Sequence, residues 1–300
     1  MPADPGDFLD PVAVARLGRL ELVARTLVEG FIKGLHFSDS KGSSTEFSEH
    51  RPYVPGDDIR RIDWRAFGKT DRFYLKEYED ETNVRATLFV DASGSMAFQS
   101  GEISKFRYAT CLAAALGYLL LGQRDAVGLV LAGEDIERHV PPKATPQHLR
   151  GIFGAIEAAI PRGKTRLAEC IHKLAGRLRA RSLVVILSDF IDDPKAVLRS
   201  IAHLRHRGCD ALLFHVLDPA EEEFPLTRWT VFRDAENPSI RRRLDARQVR
   251  QIYRENLSEH LETLRRGCAA AGVDYSLMNT KRPFELALAT CLDARERRER

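Results

Sequence analysis

The chain has 300 residues, of which 44% are hydrophobic and 30% are charged, and its net charge is +3. These values are typical of a soluble globular protein with one large or two modest domains. The small net charge gives no whole-chain reason to expect a nucleic-acid or anionic-membrane partner. The five cysteines are far apart and odd in number, which argues against a disulfide framework or a thiolate zinc site and favours a cytoplasmic location.

Neither a signal peptide nor a membrane span is expected. The N-terminus has no basic start followed by an apolar run. The longest apolar stretch, residues 111–121, is too short to cross a bilayer and predicts a buried helix.

The N-terminal part of the chain is irregular apart from one helix. Apolar residues at three- and four-residue spacing predict an amphipathic helix over 11–33. A polar, Gly/Ser-rich link over 38–45 and an irregular segment over 47–80 follow. We therefore divide the chain into two parts. Residues 1–82 are expected to form a helix and an extension packed on a sheet, and residues 83–300 an α/β domain.

From residue 85 onward, apolar runs alternate with amphipathic stretches. Strands are predicted over 85–90, 126–131, 137–140, 182–187, 211–217 and 273–278. Helices are predicted from Ser104 to Leu120 and over 146–160, 167–179, 194–207, 244–271 and 284–294. The segment with Trp229 and Phe232 is predicted to be a loop. Near-continuous apolar strands between helices indicate a mostly parallel sheet with helices on both faces.

Asp91, Asp189 and Asp218 each stand at the carboxyl end of a predicted strand. Asp91, Ser93 and Ser95 come directly after the strand over 85–90 and occupy alternate positions, so that a tight loop can turn them toward one point. One carboxylate and two hydroxyls suit a hard cation. Because ligands gather at the carboxyl ends of parallel strands, Thr165 and Asp189 are the best-placed further donors.

A purely structural interpretation competes with this metal site. Asp91 and the two serines could cap the helix that begins near Ser104, and Asp189 could cap the helix that follows it. A single Asp-x-Ser-x-Ser motif would leave that alternative strong. Matching donors in three separate parts of the chain favour the metal site.

The order of these donors resembles the metal-ion-dependent adhesion site (MIDAS) of von Willebrand factor A domains. That resemblance rests on an Asp-x-Ser-x-Ser loop, a Gly-x-Thr loop and a Ser-Asp pair after an apolar strand. Phe190 departs from the pattern, because many members of the family have glycine after the second aspartate.

This resemblance implies a Rossmann-like α/β fold and a bound divalent cation, Mg²⁺ or another such as Mn²⁺. It implies that Asp91 lies in or near the first coordination shell and that Ser93, Ser95 and Thr165 coordinate the cation directly. Asp189 would often act through a water molecule. A carboxylate from a protein partner would be the natural ligand for the remaining position.

A second motif lies upstream of the predicted sheet. Residues Tyr53 to Trp64 read Tyr-x-x-Gly-Asp-Asp-x-Arg-x-Ile-Asp-Trp, which resembles the signature of the bacterial domain-of-unknown-function family 58. Members of that family combine this pattern with a downstream von Willebrand-like domain and are often linked to MoxR-type AAA+ ATPases. Physically, the alternating arginines and aspartates fit a clamp that fixes a loop to the sheet.

Together the resemblances predict a metal-dependent protein-binding module that is not an enzyme, acting as an adaptor or co-chaperone of a MoxR-type AAA+ ATPase. Two alternatives remain open. A strand-end aspartate also suits a metal-dependent phosphoester hydrolase, although Ser93 stands where aspartyl-phosphate phosphatases usually have a second aspartate. The arginine-rich C-terminal helix, with the run Arg241 to Arg243 at its start, could instead bind nucleic acid.

Overall fold

The structure is a computed structural model. It describes residues 10–38, 51–52, 74–75, 84–237 and 239–299. The chain divides into two compact units, one formed by residues 1–33 and 84–300 and the other by residues 34–83. The described part of the second unit consists of residues 34–38, which end a helix, and a short antiparallel ladder between β1 (Arg51–Pro52) and β2 (Tyr74–Leu75). The motif from Tyr53 to Trp64 and residues 39–45 of the predicted link lie outside the described residues.

A six-stranded sheet is the centre of the first unit. The strands of this unit are β3 (Arg85–Asp91), β4 (Ala126–Ala132), β5 (Ile136–Lys143), β6 (Ser182–Ser188), β7 (Asp210–Leu217), β8 (Trp229–Arg233), β9 (Arg241–Asp245) and β10 (Asp274–Asn279). The sheet order is β10-β7-β6-β3-β4-β5, and all neighbours are parallel except β5, which runs antiparallel to β4. Strands β8 and β9 pair with each other as a separate antiparallel hairpin.

Helices cover both faces of this sheet. They are α1 (Pro11–Ala15), α2 (Leu20–Ser38), α3 (Lys105–Gly122), α4 (Pro146–Glu157), α5 (Leu167–Ala175), α6 (Pro194–His206), α7 (Pro219–Glu223), α8 (Ala246–Ala270) and α9 (Glu285–Glu299). Buried residues of α1 to α4 and α9 share one hydrophobic core with Leu88 and Val90 of β3. Buried residues of α5, α6 and α8 share a second core with Phe89. Alternate residues of one strand therefore fill opposite cores, which confirms the predicted α/β fold.

The N-terminal helices differ from the prediction in two respects. The helix predicted over 11–33 is interrupted, because Gly18 takes a positive φ of 75° between α1 and α2. These helices also group with the sheet and not with residues 34–83, whereas the predicted division joined residues 1–82. The physical reason is burial, since Leu20, Val23 and Leu27 are fully buried in the core that α3 shares.

The segment between β7 and α8 also differs from the prediction. Residues around Trp229 were expected to form a loop, and the arginines from Arg241 to Arg243 were placed at the start of a helix. The structure instead pairs them in the β8–β9 hairpin, and α8 begins at Ala246. The two strands of this hairpin are largely exposed. Their sequence therefore lacks the continuous apolar run by which a strand of the main sheet is recognised. Among the described helices, none is both long and apolar enough to cross a membrane.

The packing of β5 on β4 generates a first prediction. A Cβ atom on Gly128 would lie 2.6 Å from the Val140 carbonyl oxygen and 2.8 Å from the Pro142 nitrogen. Both contacts are to backbone, so we expect Gly128→Ala to lower the free energy of unfolding by about 1–3 kcal/mol. Equilibrium urea denaturation measures this.

The control is Gly151→Ala. Gly151 lies on the exposed side of α4 with nothing within 4 Å of an added Cβ, so the free energy of unfolding should rise by about 0.5–1 kcal/mol. Equal stability of the two variants would contradict the close approach at Gly128.

Candidate metal centre

Two carboxylates lie side by side at the carboxyl ends of β3 and β6. Strand β3 ends at Asp91, and Ser188 at the end of β6 is followed by Asp189. Both aspartates are 1% exposed. The Ser188 hydroxyl donates to Asp91 Oδ2 at 2.5 Å, which links the ends of the two neighbouring strands. The predicted strand-end cluster is therefore built from directly adjacent strands.

The loop after Asp91 gathers further oxygen atoms. The backbone N–H of Ser93 donates to Asp91 Oδ1 at 2.8 Å, and the hydroxyls of Ser93 and Ser95 are 3.1 Å apart. Both serines are buried, and a single 3-10 turn over Gly94–Ala97 keeps the loop tight. One carboxylate and two hydroxyls thus share one small buried volume.

The loop that carries Thr165 packs directly on the loop after Asp91. The Arg162 N–H donates to the Ala92 carbonyl, and the Gly94 N–H donates to the Gly163 carbonyl, both at 2.9 Å. A Cβ atom at residue 94 would lie 2.9 Å from the Gly163 oxygen, so this approach requires glycine there. Thr165 is half-buried at the rim, and its backbone N–H donates to Glu236 Oε1 at 2.9 Å.

Helix capping does not account for the two aspartates. The N-cap of α3 is Ser104, whose hydroxyl accepts from the Arg107 N–H. The N-cap of α6 is Asp193, which accepts from the N–H groups of Lys195 and Ala196. Asp91 and Asp189 cap neither helix, so the helix-capping alternative does not hold for these two residues.

A lysine is buried between two carboxylates in this region. The Lys105 ammonium donates to Asp189 Oδ2 at 2.8 Å and to Glu221 Oε1 at 2.6 Å. The side chains of Lys105 and Asp189 are both 0% exposed. Burial alone would lower the pKa of Lys105, but the two carboxylates outweigh it and raise that pKa. The lysine is therefore a fixed positive charge.

The charges of the cluster do not balance. Three carboxyl groups (Asp91, Asp189 and Glu221) accompany one ammonium (Lys105), so full ionisation of all three would leave two negative charges. Burial and, after it, the charge of the neighbouring Asp189 together raise the pKa of Asp91 to about 7, against the hydrogen bonds from Ser188 and Ser93. An ionised Asp91 thus lacks a compensating cation. A divalent cation would match the missing charge.

The donor set decides which kind of metal fits. Among the described residues, no three His, Cys, Asp or Glu side chains are grouped closely enough to hold a metal ion. Any cation here would depend on hydroxyl oxygens together with Asp91. Hard oxygen donors suit Mg²⁺ or Mn²⁺ and not Zn²⁺, so the residues present fit the cation that the sequence predicts.

Phe190 shows why the sequence departs from the family pattern at this position. Its φ is 51°, in the left-handed region where glycine is favoured and a bulky side chain is strained. The side chain is nevertheless fully buried and packs against His215, with ring centroids 5.1 Å apart. Burial in the second core offsets the strain, so the backbone turn after Asp189 is retained without glycine.

Several residues of the site could not be predicted from the sequence. Lys105 follows the Ser104 cap within an ordinary helical pattern, and Glu221 and Glu236 lie in segments with no motif. Asp218, a predicted strand-end aspartate, caps α7 and accepts from the backbone N–H of Ser100 at 2.9 Å. It therefore anchors the rim of the site.

The doubly covered parallel sheet with oxygen donors at its strand ends defines a von Willebrand factor A-like α/β domain. A family model described as "Protein of unknown function DUF58" matches residues 49–263, and the chain belongs to this family. The uncharacterized proteins Rv1480 of Mycobacterium tuberculosis and Mb1516 of Mycobacterium bovis are each 28% identical over 298 residues, which cover 97% of this chain and 92% of theirs.

Two solved structures share this fold at a TM-score of 0.50. The conserved hypothetical protein BatB of Bacteroides thetaiotaomicron aligns with a TM-score of 0.50 at 13% identity, covering 71% of this chain and 99% of that one. An aerotolerance-related membrane protein of Bacteroides fragilis gives the same values. The von Willebrand factor A domain of SpRpn10 gives a TM-score of 0.40 at 13% identity, covering 69% of this chain and 94% of that one. At 13% identity, the likeness to the first two structures is one of fold alone.

The Lys105 cluster generates a second prediction. Lys105→Met keeps the length of the side chain but leaves Asp189 and Glu221 without their buried cation. Breaking a buried ion pair from one side costs about 3–5 kcal/mol, and we expect a loss of that size in urea denaturation without added metal. Lys195→Met, on the exposed first turn of α6, should change stability by less than about 0.5 kcal/mol. Similar losses in both variants would contradict the role of Lys105.

Proposed function

We propose that the chain is a divalent-metal-dependent protein-binding module of the MIDAS type. Asp91, Ser93, Ser95 and Thr165 would hold Mg²⁺ or Mn²⁺ directly, and Asp189 would act through a water molecule. The observation that carries this proposal is the buried cluster at the ends of β3 and β6, which combines paired hydroxyls with three carboxyl groups around a single ammonium.

Hydrogen bonds within the chain hold the two aspartates of the site in place. Asp91 is fixed in orientation by the Ser188 hydroxyl and the Ser93 N–H, and Asp189 is held by Lys105. A cation bound there would supply a positive centre with a position open to an outside oxygen. Because hydroxyls provide most of its ligands, such a cation keeps much of its charge. A carboxylate from a partner protein is the natural completing ligand, and the site on this proposal binds and does not catalyse.

The third prediction tests the metal. Asp91→Asn keeps the shape of the side chain and an acceptor for the Ser93 N–H but removes one negative charge. We expect affinity for Mn²⁺, measured by titration calorimetry and by electron paramagnetic resonance of free Mn²⁺, to fall at least about tenfold. The control is Asp193→Asn, at the exposed cap of α6, because asparagine is an equally good N-cap. Unchanged Mn²⁺ binding in Asp91→Asn, or no binding by the unaltered chain, would exclude the metal role.

The fourth prediction concerns the partner, which we propose to be a MoxR-type AAA+ ATPase, with this chain as its adaptor or co-chaperone. The resemblance of the upstream signature to family 58 supports that choice. A purified MoxR-type ATPase should retain the unaltered chain and Asp193→Asn on a sensor surface but not Asp91→Asn.

Mg²⁺ stays present throughout this experiment, since a chelator would also strip the ATPase of its own cation. The two variants therefore provide the comparison. Equal retention of both would show that the contact does not use the metal. If the chain binds Mn²⁺ but the ATPase retains neither protein, the metal site stands and the choice of partner is wrong.

A further inference from the structure

The β8–β9 hairpin lies outside the main sheet, and its turn touches the metal site. A Cβ atom at Gly94 would lie 2.7 Å from the Ala235 carbonyl oxygen, so the turn approaches the loop after Asp91 closely. The next residue, Glu236, accepts a hydrogen bond from the Thr165 N–H at 2.9 Å. The hairpin therefore begins at the rim of the cation site and extends away from it.

The strand register separates the hairpin into two faces. Val231 pairs with Arg243, and Arg233 pairs with Arg241, so these residues share one face with Trp229. Phe232 points to the opposite face, where its ring stacks on that of buried Phe224 with centroids 6.2 Å apart. The hairpin is thus held to the domain by the face that carries Phe232. We call the opposite face, which carries Trp229, Val231, Arg233, Arg241 and Arg243, the outer face.

The outer face combines apolar surface with positive charge. Trp229 is 61% exposed and Val231 is 58% exposed. The Arg243 guanidinium lies 5.7 Å from the centroid of the Trp229 ring. In the described part of the chain, Arg233, Arg241 and Arg243 make no ion pair. Exposed aromatic and arginine side chains are the residues enriched where proteins bind one another.

We propose that this outer face binds an acidic segment of the partner, so that one carboxylate of the segment completes the cation site while its neighbours contact the arginines and Trp229. The inference rests on the proposed function, which requires a partner carboxylate at the rim. The seven residues from Trp229 to Ala235 span at most about 23 Å at about 3.3 Å per residue. An extended segment of similar length would reach from the cation to Trp229.

An acidic peptide fits this surface better than a nucleic acid. Asp234 and Glu236 lie between the arginines and the metal site, and they would repel a strand that carries a phosphate at every step. A peptide can space its carboxylates to avoid them and place an apolar side chain on Trp229. Arg241 and Arg243 are therefore assigned to a protein partner.

The test measures fluorescence anisotropy of a fluorescein-labelled peptide of alternating Glu and Leu, with Mg²⁺ present. We expect Arg241→Glu/Arg243→Glu to weaken binding at least about tenfold, and Trp229→Ala to weaken it several-fold. The control, Arg179→Glu/Arg207→Glu, makes the same charge change at exposed positions before β6 and β7, at the opposite end of the sheet, and should bind like the unaltered chain. Circular dichroism checks that each variant is folded.

The outcomes separate the hairpin from the metal. Loss of binding in both double variants, or in neither, overturns the inference, as does failure of the unaltered chain to bind the peptide. A labelled single-stranded oligonucleotide that binds more tightly, and is released by the hairpin variant, also overturns it.

If the hairpin variant loses the peptide but Asp91→Asn and EDTA have no effect, the surface is supported and the proposed metal function fails. If Asp91→Asn loses the peptide and the hairpin variant does not, the metal function stands and the hairpin inference fails.

Discussion

The burial of negative charge at the ends of β3 and β6 is the constraint on which the site depends. An unpaired carboxylate is expensive in such a place, and Asp189 is tolerated because the Lys105 ammonium meets it there. Lys105 reaches this position from the first turn of α3, the helix that fills the centre of one core. The placement of α3 on the sheet and the electrostatics of the site are therefore one feature, and neither can change without the other.

Lys105 does not compensate the negative charge of all three carboxyl groups, and this imbalance bears on whether the site is functional. The ammonium serves Asp189 and Glu221, while burial and Asp189 hold the pKa of Asp91 near 7. A core selected only for stability would replace such a carboxylate by an apolar side chain. Phe190 adds a strained backbone turn one residue beyond Asp189. Charge imbalance and strain gathered at one end of a sheet are characteristic of functional sites.

The fold, and the meeting of Asp91 and Asp189 at neighbouring strand ends, could be predicted from the sequence because both depend on local pattern. Apolar strands such as β6 are continuous runs, and Asp91 and Asp189 stand where those runs end. The roles of Lys105 and Glu221 could not be recognised, because Lys105 is 84 residues from Asp189 and 116 residues from Glu221 in the chain. The hairpin was missed for a different reason. Its strands pack by one face only, and the arginine run in β9 has no alternation of polar and apolar residues to indicate a strand.

The hairpin and the cation site are joined by a continuous set of contacts. A two-stranded ladder is marginal on its own, and this one is held by the stack of Phe232 on Phe224, which in turn packs against Tyr253 of α8. The Tyr253 hydroxyl donates to the backbone carbonyl of Glu221 at 2.9 Å, and the Glu221 carboxylate pairs with Lys105. In the turn of the same hairpin, the Glu236 carboxylate accepts a hydrogen bond from the Thr165 N–H. A segment bound to the outer face would contact a hairpin that is linked to the site residues by these two sets of contacts. Binding of the cation could change the position of the hairpin through the same contacts. Any such coupling is reciprocal by thermodynamic necessity, so on the proposed function the hairpin surface and the cation site would act as one binding unit.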